Sequence, residues 1–141
     1  MKSKKSYLFL SFLSWKKRCG YVAAGGQRSQ LLVGHLTSPW TNQISVGGSI
    51  NNALCISRHA PTNTTRLLIC NNDETIKIYE LPTLQRIASI TLPTAVNYCA
   101  ISPDGRRMVA VGDSNQVFLF DVSPSGTYTK VDTLIGKWKE K

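Results

Sequence analysis

The side chains best suited to chemistry are few and dispersed. His35 and His59 are the only histidines, and the cysteines are Cys19, Cys55, Cys70 and Cys99. A hydrolytic or transfer site needs a nucleophile, a base within hydrogen-bond reach and groups that hold developing charge. Neither histidine stands at a spacing from Cys, Asp or Glu that predicts a triad or a metal centre; His35 is read as the end of a strand and His59 as a loop residue. Zinc sites recruit close cysteine pairs, and no two of these cysteines are so spaced. The carboxylates Asp73, Glu74, Asp104, Asp113 and Asp121 fall where turns and strand ends are expected, which makes them turn formers rather than an acid–base pair. Gly25-Gly26 and Gly47-Gly48 are too sparse for a phosphate loop and no helix pattern follows them. A non-enzymatic protein without cofactor or metal is therefore expected.

Charge narrows the partners. The net charge of +9 resides mostly at the ends: residues 1–18 carry six basic groups and no acid, and residues 130–141 carry four lysines against Asp132 and Glu140. Between them, seven Arg or Lys face six acids, so the body is nearly neutral. A basic nucleic-acid face with interleaved aromatic residues is not evident, and Arg106-Arg107 reads as a solvated turn, so nucleic acid is not an expected partner. All cysteines but Cys19 lie inside apolar runs and read as reduced, buried strand residues, which favours a cytoplasmic or, secondly, a nuclear setting.

Residues 1–18 pair a basic start with an apolar run from Tyr7 to Trp15, a pattern that copies a secretory signal. The copy is poor, because Lys16-Lys17-Arg18 follows at once and no small-residue cleavage site is present. The run is also shorter than the roughly 20 residues that span a bilayer. Three readings stay open: an irregular or replaced start, a core-packing segment, or a signal or lipid-facing element, the last with Phe9, Phe12 and Trp15 at the headgroup boundary.

The elements that position these side chains are strands. From Val96 to Val122 the chain reads as three short strands joined by Ser102-Pro103-Asp104-Gly105 and Gly112-Asp113-Ser114-Asn115, whose proline and glycine supply the dihedrals of tight turns. Val117, Leu119, Phe120, Asp121 and Val122 match Ile76, Ile78, Tyr79, Glu80 and Leu81 in type at a constant offset of 41 residues. Cys55-Ile56-Ser57 matches Ala100-Ile101-Ser102 at 45, with the additional residues assigned to a surface loop over residues 58–66. A weaker copy covers Tyr21 to Ala24 and Gln30 to His35, with Gln43 to Val46 as its outer edge. The second copy holds Ala53–Ser57, Leu67–Cys70, Thr75–Leu81 and Arg86–Thr91; the third holds Val96–Ser102, Met108–Val111, Gln116–Val122 and Tyr128–Leu134. A period of about 40 to 45 residues is that of four-stranded propeller blades. The expected fold is all-β, an incomplete propeller of antiparallel blades: a partial blade over 19–48, blades over 49–92 and 93–135, and a basic tail over 136–141.

These residues resemble the WD-repeat family. Ser102-Pro103-Asp104-Gly105 is similar to its first-turn signature, and Asp73-Glu74-Thr75-Ile76-Lys77-Ile78-Tyr79-Glu80 to its Asp-Gly-Thr-Ile-Arg-Val-Trp-Asp ending. The third copy places Ser114 at the turn Asp and Phe120 at the Trp; the first places Arg28 and Gly34 there. No Gly-His pair precedes the second or third copy, so the family's Asp-His-Ser/Thr-Trp hydrogen-bond network is incomplete. The Gly-Tyr-Val-Ala-Ala-Gly-Gly-Gln opening at residues 20–27 resembles little-characterised cytosolic WD-repeat proteins of fungi and plants.

The resemblance implies a protein-binding scaffold whose top-rim loops meet partners. Carried over residue by residue, that rim comprises Asn72, Asp73 and Glu74, Thr94 and Asn97, and Asp113, Ser114 and Asn115. Propellers close a ring of about four to eight blades, so further blades are expected from a longer chain or from a partner. A substrate receptor for ubiquitin ligation and a peripheral membrane propeller anchored by residues 1–18 are the alternatives. The Phe-Arg-Arg-Gly motif of lipid-binding propellers is represented only by Gly-Arg-Arg-Met at 105–108.

Overall fold

The computed structural model describes residues 20–25, 29–48 and 50–136. The basic apolar start, Cys19, Arg28 and most of the basic tail lie outside the described residues. What is described is almost entirely β. The strands are β1 (Tyr21–Gly25), β2 (Gln30–His35), β3 (Ser38–Ser45), β4 (Asn51–His59), β5 (Thr64–Asn71), β6 (Thr75–Leu81), β7 (Gln85–Thr91), β8 (Val96–Ile101), β9 (Arg107–Gly112), β10 (Gln116–Val122) and β11 (Tyr128–Ile135). They form three antiparallel meanders in sequence order: β1-β2-β3, β4-β5-β6-β7 and β8-β9-β10-β11.

Local chemistry makes the hairpins. Ser102 Oγ donates to Asp104 Oδ1 at 2.6 Å, the Arg106 N–H donates to the same oxygen at 3.0 Å, and Gly105 takes φ +73°. That geometry turns the chain from β8 into β9. The burial pattern then follows from how the sheets stack. The middle sheet is covered on both faces, so β5 reads as the continuous run Leu67-Leu68-Ile69-Cys70, all four fully buried. Leu67 and Ile69 join Ala23, Leu31, Val33, Leu54 and Ile56 in a core against the first sheet. Leu68 and Cys70 face the other way, joining Ile76, Ile78, Met108, Phe118 and Phe120 in a core against the third. Each buried Leu, Ile, Val, Met or Phe side chain contributes about 1.5–3 kcal/mol on leaving water. The leading strands of the sheets sit side by side, β4 packing on both β1 and β8, which is the radial arrangement of propeller blades.

The strand order matches the expectation from the repeat, with corrections at the edges. The residues assigned to a surface loop over 58–66 instead lengthen the hairpin: Arg58 pairs with Thr65 and His59 with Thr64, leaving one short 3-10 turn at Ala60–Thr62. His59 is accordingly no loop residue. It ends β4, buried, with Nε2 3.0 Å from the Pro124 carbonyl oxygen. The outer strand of the first sheet spans Ser38–Ser45, earlier and longer than Gln43–Val46, and tolerates Pro39 because it is an edge.

Candidate protein-interaction rim

Alternate hairpins return to the same end of a meander. The β5–β6 turn at 72–74, the β9–β10 turn at 113–115 and the β7–β8 connection at 92–95 therefore share one end of the second and third sheets. Asn72, Asp73, Glu74, Asn97, Asp113, Ser114 and Asn115 are exposed, whereas Thr94 is buried.

The β5–β6 turn is fixed from beneath. The Asp73 N–H donates to Asn71 Oδ1 at 3.0 Å, and Thr75 Oγ1 donates to Asp73 Oδ1. Lys77 Nζ, on a side chain only 6% exposed, donates to Asp73 Oδ2 at 2.7 Å and to the Gly47 carbonyl at 3.1 Å. Asn71 Nδ2 donates to the same carbonyl at 3.2 Å and to Asn51 Oδ1 at 3.1 Å, while Asn51 Nδ2 reaches the Gln30 carbonyl at 3.1 Å. First and second sheets are thus laced together just below the turn. Burial alone would raise the Asp73 pKa, but the Lys77 and Thr75 hydrogen bonds and the Lys77 charge outweigh it, and the carboxyl sits below its ordinary value.

A second lacing joins the next pair of sheets. Asn52 Nδ2 donates to the Val96 carbonyl at 2.9 Å and lies 3.4 Å from Asn97 Oδ1. Asn97 Nδ2 donates to Asp113 Oδ1 at 2.6 Å, and the Asp113 N–H donates to the Ala95 carbonyl at 3.2 Å. The third-sheet turn is closed further by Asn115 Nδ2 donating to the Gly136 carbonyl at 3.1 Å. Asn97 and Asp113 are therefore brought together; the Asn72 N–H donates to the Ile50 carbonyl at 2.9 Å, and Lys77 links Asp73 to the Gly47 carbonyl. Glu74 and Ser114 are exposed, Glu74 at a turn position with φ +66° and Ser114 with its Oγ accepting from the Gln116 N–H at 3.3 Å.

Sequence reasoning did not single out Asn51, Asn52, Asn71 or Lys77. The available signal was an Asn-Asn pair opening a strand two residues after Gly47-Gly48, where asparagine competes for backbone groups. Where the resemblance leads one to look for an Asp-His-Ser/Thr-Trp network, this chain uses asparagine amides and a lysine.

Elsewhere, His35 ends β2 and stacks edge-on against Tyr21 with ring centroids 4.9 Å apart. Cys70 and Cys99 are buried free thiols and Cys55 is half-buried. The Cys55 hydrogen bond pulls the Cys99 pKa down, yet the Cys70 hydrogen bond and burial together push it well above the ordinary thiol value. Among the described residues, no group of three His, Cys, Asp or Glu is placed to hold a metal ion, and no helix is long and apolar enough to cross a membrane.

Comparison with known proteins agrees with this architecture. No family model matches the chain. An uncharacterized protein of Schizosaccharomyces pombe is 38% identical over 121 residues, covering 84% of this chain and 35% of its own length. Eukaryotic translation initiation factor 3 subunit I of Debaryomyces hansenii is 29% identical over 115 residues, covering 78% of this chain and 28% of its own; its Emericella nidulans counterpart is 28% identical over 127 residues. Among solved structures, a chain of the "Crystal Structure of Mitotic Checkpoint Complex" superposes with TM-score 0.75 at 17% identity, over 90% of this chain and 39% of that one. The chain thus spans about a third of the length of the curated relatives it matches, and its sheets are WD-repeat-like propeller blades.

Proposed function

From sheets stacked as consecutive propeller blades, we infer that this chain serves as a non-catalytic scaffold for protein–protein interaction, with the 72–74, 97 and 113–115 cluster as a docking rim. The carrying observation is that exposed hydrogen-bonding side chains sit on turns braced from beneath by Asn51, Asn52, Asn71 and Lys77. Preorganised polar groups of this kind bind without the entropic cost of ordering a loop. Relatives named as subunits of a translation initiation factor support a place in a multiprotein assembly. Buried free thiols at Cys70 and Cys99 suit a cytoplasmic setting.

The outer face of the third sheet also bears on this reading. Tyr98, Val109 and Leu134 are 49%, 37% and 51% exposed. An apolar sheet face of that kind fits against another sheet, so the working scaffold includes a further blade there, from the same polypeptide or a partner. Affinity capture from cell extract tests the rim. Glu74→Ala with Asn97→Ala should lose captured proteins that the wild-type chain retains while staying folded, with only the small drop in unfolding temperature that loss of the exposed Asn97–Asp113 hydrogen bond brings. Identical capture sinks the assignment.

A further inference from the structure

At the opposite end of the sheets, Arg66 poses a problem of charge. It lies on β5, on the face turned toward the third sheet, and is only 5% exposed. A surface loop was the expectation for this residue; the extended β4–β5 hairpin buries it instead. Arginine is almost never so buried without a partner for its charge. Its contacts here are neutral. Nη1 donates to the Tyr128 hydroxyl at 3.1 Å and, at 3.4 Å, to the Gly126 carbonyl, and the guanidinium carbon is 5.8 Å from the centroid of the Tyr128 ring. Nε–H has no acceptor. Glu80 is the residue directly opposite in the β5–β6 ladder, yet among the described residues no carboxylate forms an ion pair with Arg66.

A cleft of about 450 Å³ opens at this guanidinium, walled by Ile87 to Ile90 of β7 on one side and by Ser125 to Tyr128 on the other. We propose that the cleft docks an acidic peptide segment of a protein partner, a carboxylate of which neutralises Arg66 while an apolar neighbour packs on Ile87 and Ile90. The planar guanidinium fork matches a carboxylate. Glu80 lines the same cleft, and its charge repels a doubly charged phosphate more than a single carboxylate. Ile87, 38% exposed at the margin, offers nothing to a free ion but does offer contact to a peptide side chain. β7 is the outer strand of its sheet, with β6 on one side only, so its second edge presents backbone groups to an extended segment. This surface lies at the end of the sheets opposite the rim, and Glu74→Ala with Asn97→Ala leaves it intact, so the two readings fail separately.

The test is nitrogen-15 NMR of arginine side chains in the full chain, titrated with acetyl-Ile-Asp-Ile-amide, its Asn counterpart and inorganic phosphate. The Asp peptide should shift the Arg66 Nε–H resonance saturably, with about tenfold weaker binding for the Asn peptide, the usual scale for losing a charged hydrogen-bond partner. Arg66→Lys should weaken the Asp peptide similarly. No shift, equal shifts from both peptides, or a response to phosphate alone overturns the proposal. Should Arg66→Lys fail to fold, Glu80→Gln decides. Tighter Asp-peptide binding in that variant supports the cleft as a peptide site. A resonance that moves in Glu80→Gln without probe and then ignores the peptide shows that Glu80 is the counter-ion, and overturns it.

Discussion

The Lys77 ammonium, almost wholly buried, lies 2.7 Å from the Asp73 carboxylate four residues earlier, and the same ammonium ties the turn they share to the Gly47 carbonyl in the connection between β3 and β4. Asp73 was expected at the rim as a partner contact; its side chain already holds a bond that the fold uses. Rim and core are coupled through this pair.

Replacing Asp73 by Ala leaves a buried cation with one carbonyl for company. Because the carboxylate is one-third exposed, the expected loss is about 1–3 kcal/mol, below the full cost of breaking a buried pair. Lys77→Met removes the charge and its need for a partner together, and should cost less. Urea unfolding of both variants checks the order; equal midpoints for Asp73→Ala and wild type would remove the pair from the account.

Acid should find the same pair. The Asp73 pKa is depressed in the folded chain, so its contribution to stability is present above the unfolded value of about 3.9 and is lost as pH falls through the folded value. Asp104, held low by the Ser102 hydroxyl and the Arg106 N–H, acts in the same direction. Thermal unfolding of the wild type should fall below about pH 4, and Asp73→Asn should flatten that decline. An unchanged slope in the variant argues against the linkage.

Gly112 admits no side chain. A Cβ there would stand 2.0 Å from the Ala95 carbonyl oxygen and 2.8 Å from Thr94 Cγ2. Since the obstacle is backbone, Gly112→Ala should destabilise by about 1–3 kcal/mol through overpacking and shift the β7–β8 connection that carries the rim. Circular dichroism melting reads the first effect. Amide shifts of Asn97 and Asp113 read the second, and neither moving refutes the close approach.

The thiols of Cys70 and Cys99 should stay silent. Both are buried, and the Cys99 pKa is raised well above its ordinary value, which leaves little thiolate to react. Brief iodoacetamide treatment should leave their peptides unmodified by mass spectrometry until denaturant is added. Rapid native labelling of either would place it outside the core.

Much of this architecture was local and therefore legible in the sequence. Pro103 and Gly105 preset a turn wherever they stand, and alternating or continuous apolar runs such as Leu67 to Cys70 signal a strand, so the repeat displayed β4 to β11 in order. Side-chain partners across sheets were not legible, because period and turn chemistry carry no information about which face meets which neighbour. Arg58 to Arg66 illustrates the limit: the same polar residues suit a loop or a lengthened hairpin, and only packing against Pro124 and Tyr128 chose the hairpin, burying His59 and Arg66. Likewise Asn51, Asn52 and Lys77 gained their roles only when adjacent sheets approached closely enough for an amide or ammonium to span the gap. The sequence by itself determined the strands, their order and the exposed turn chemistry, since these rest on backbone dihedrals and hydrophobic period. Tertiary structure alone decided which polar groups are buried between sheets, because burial is a property of the partner surface as much as of the residue.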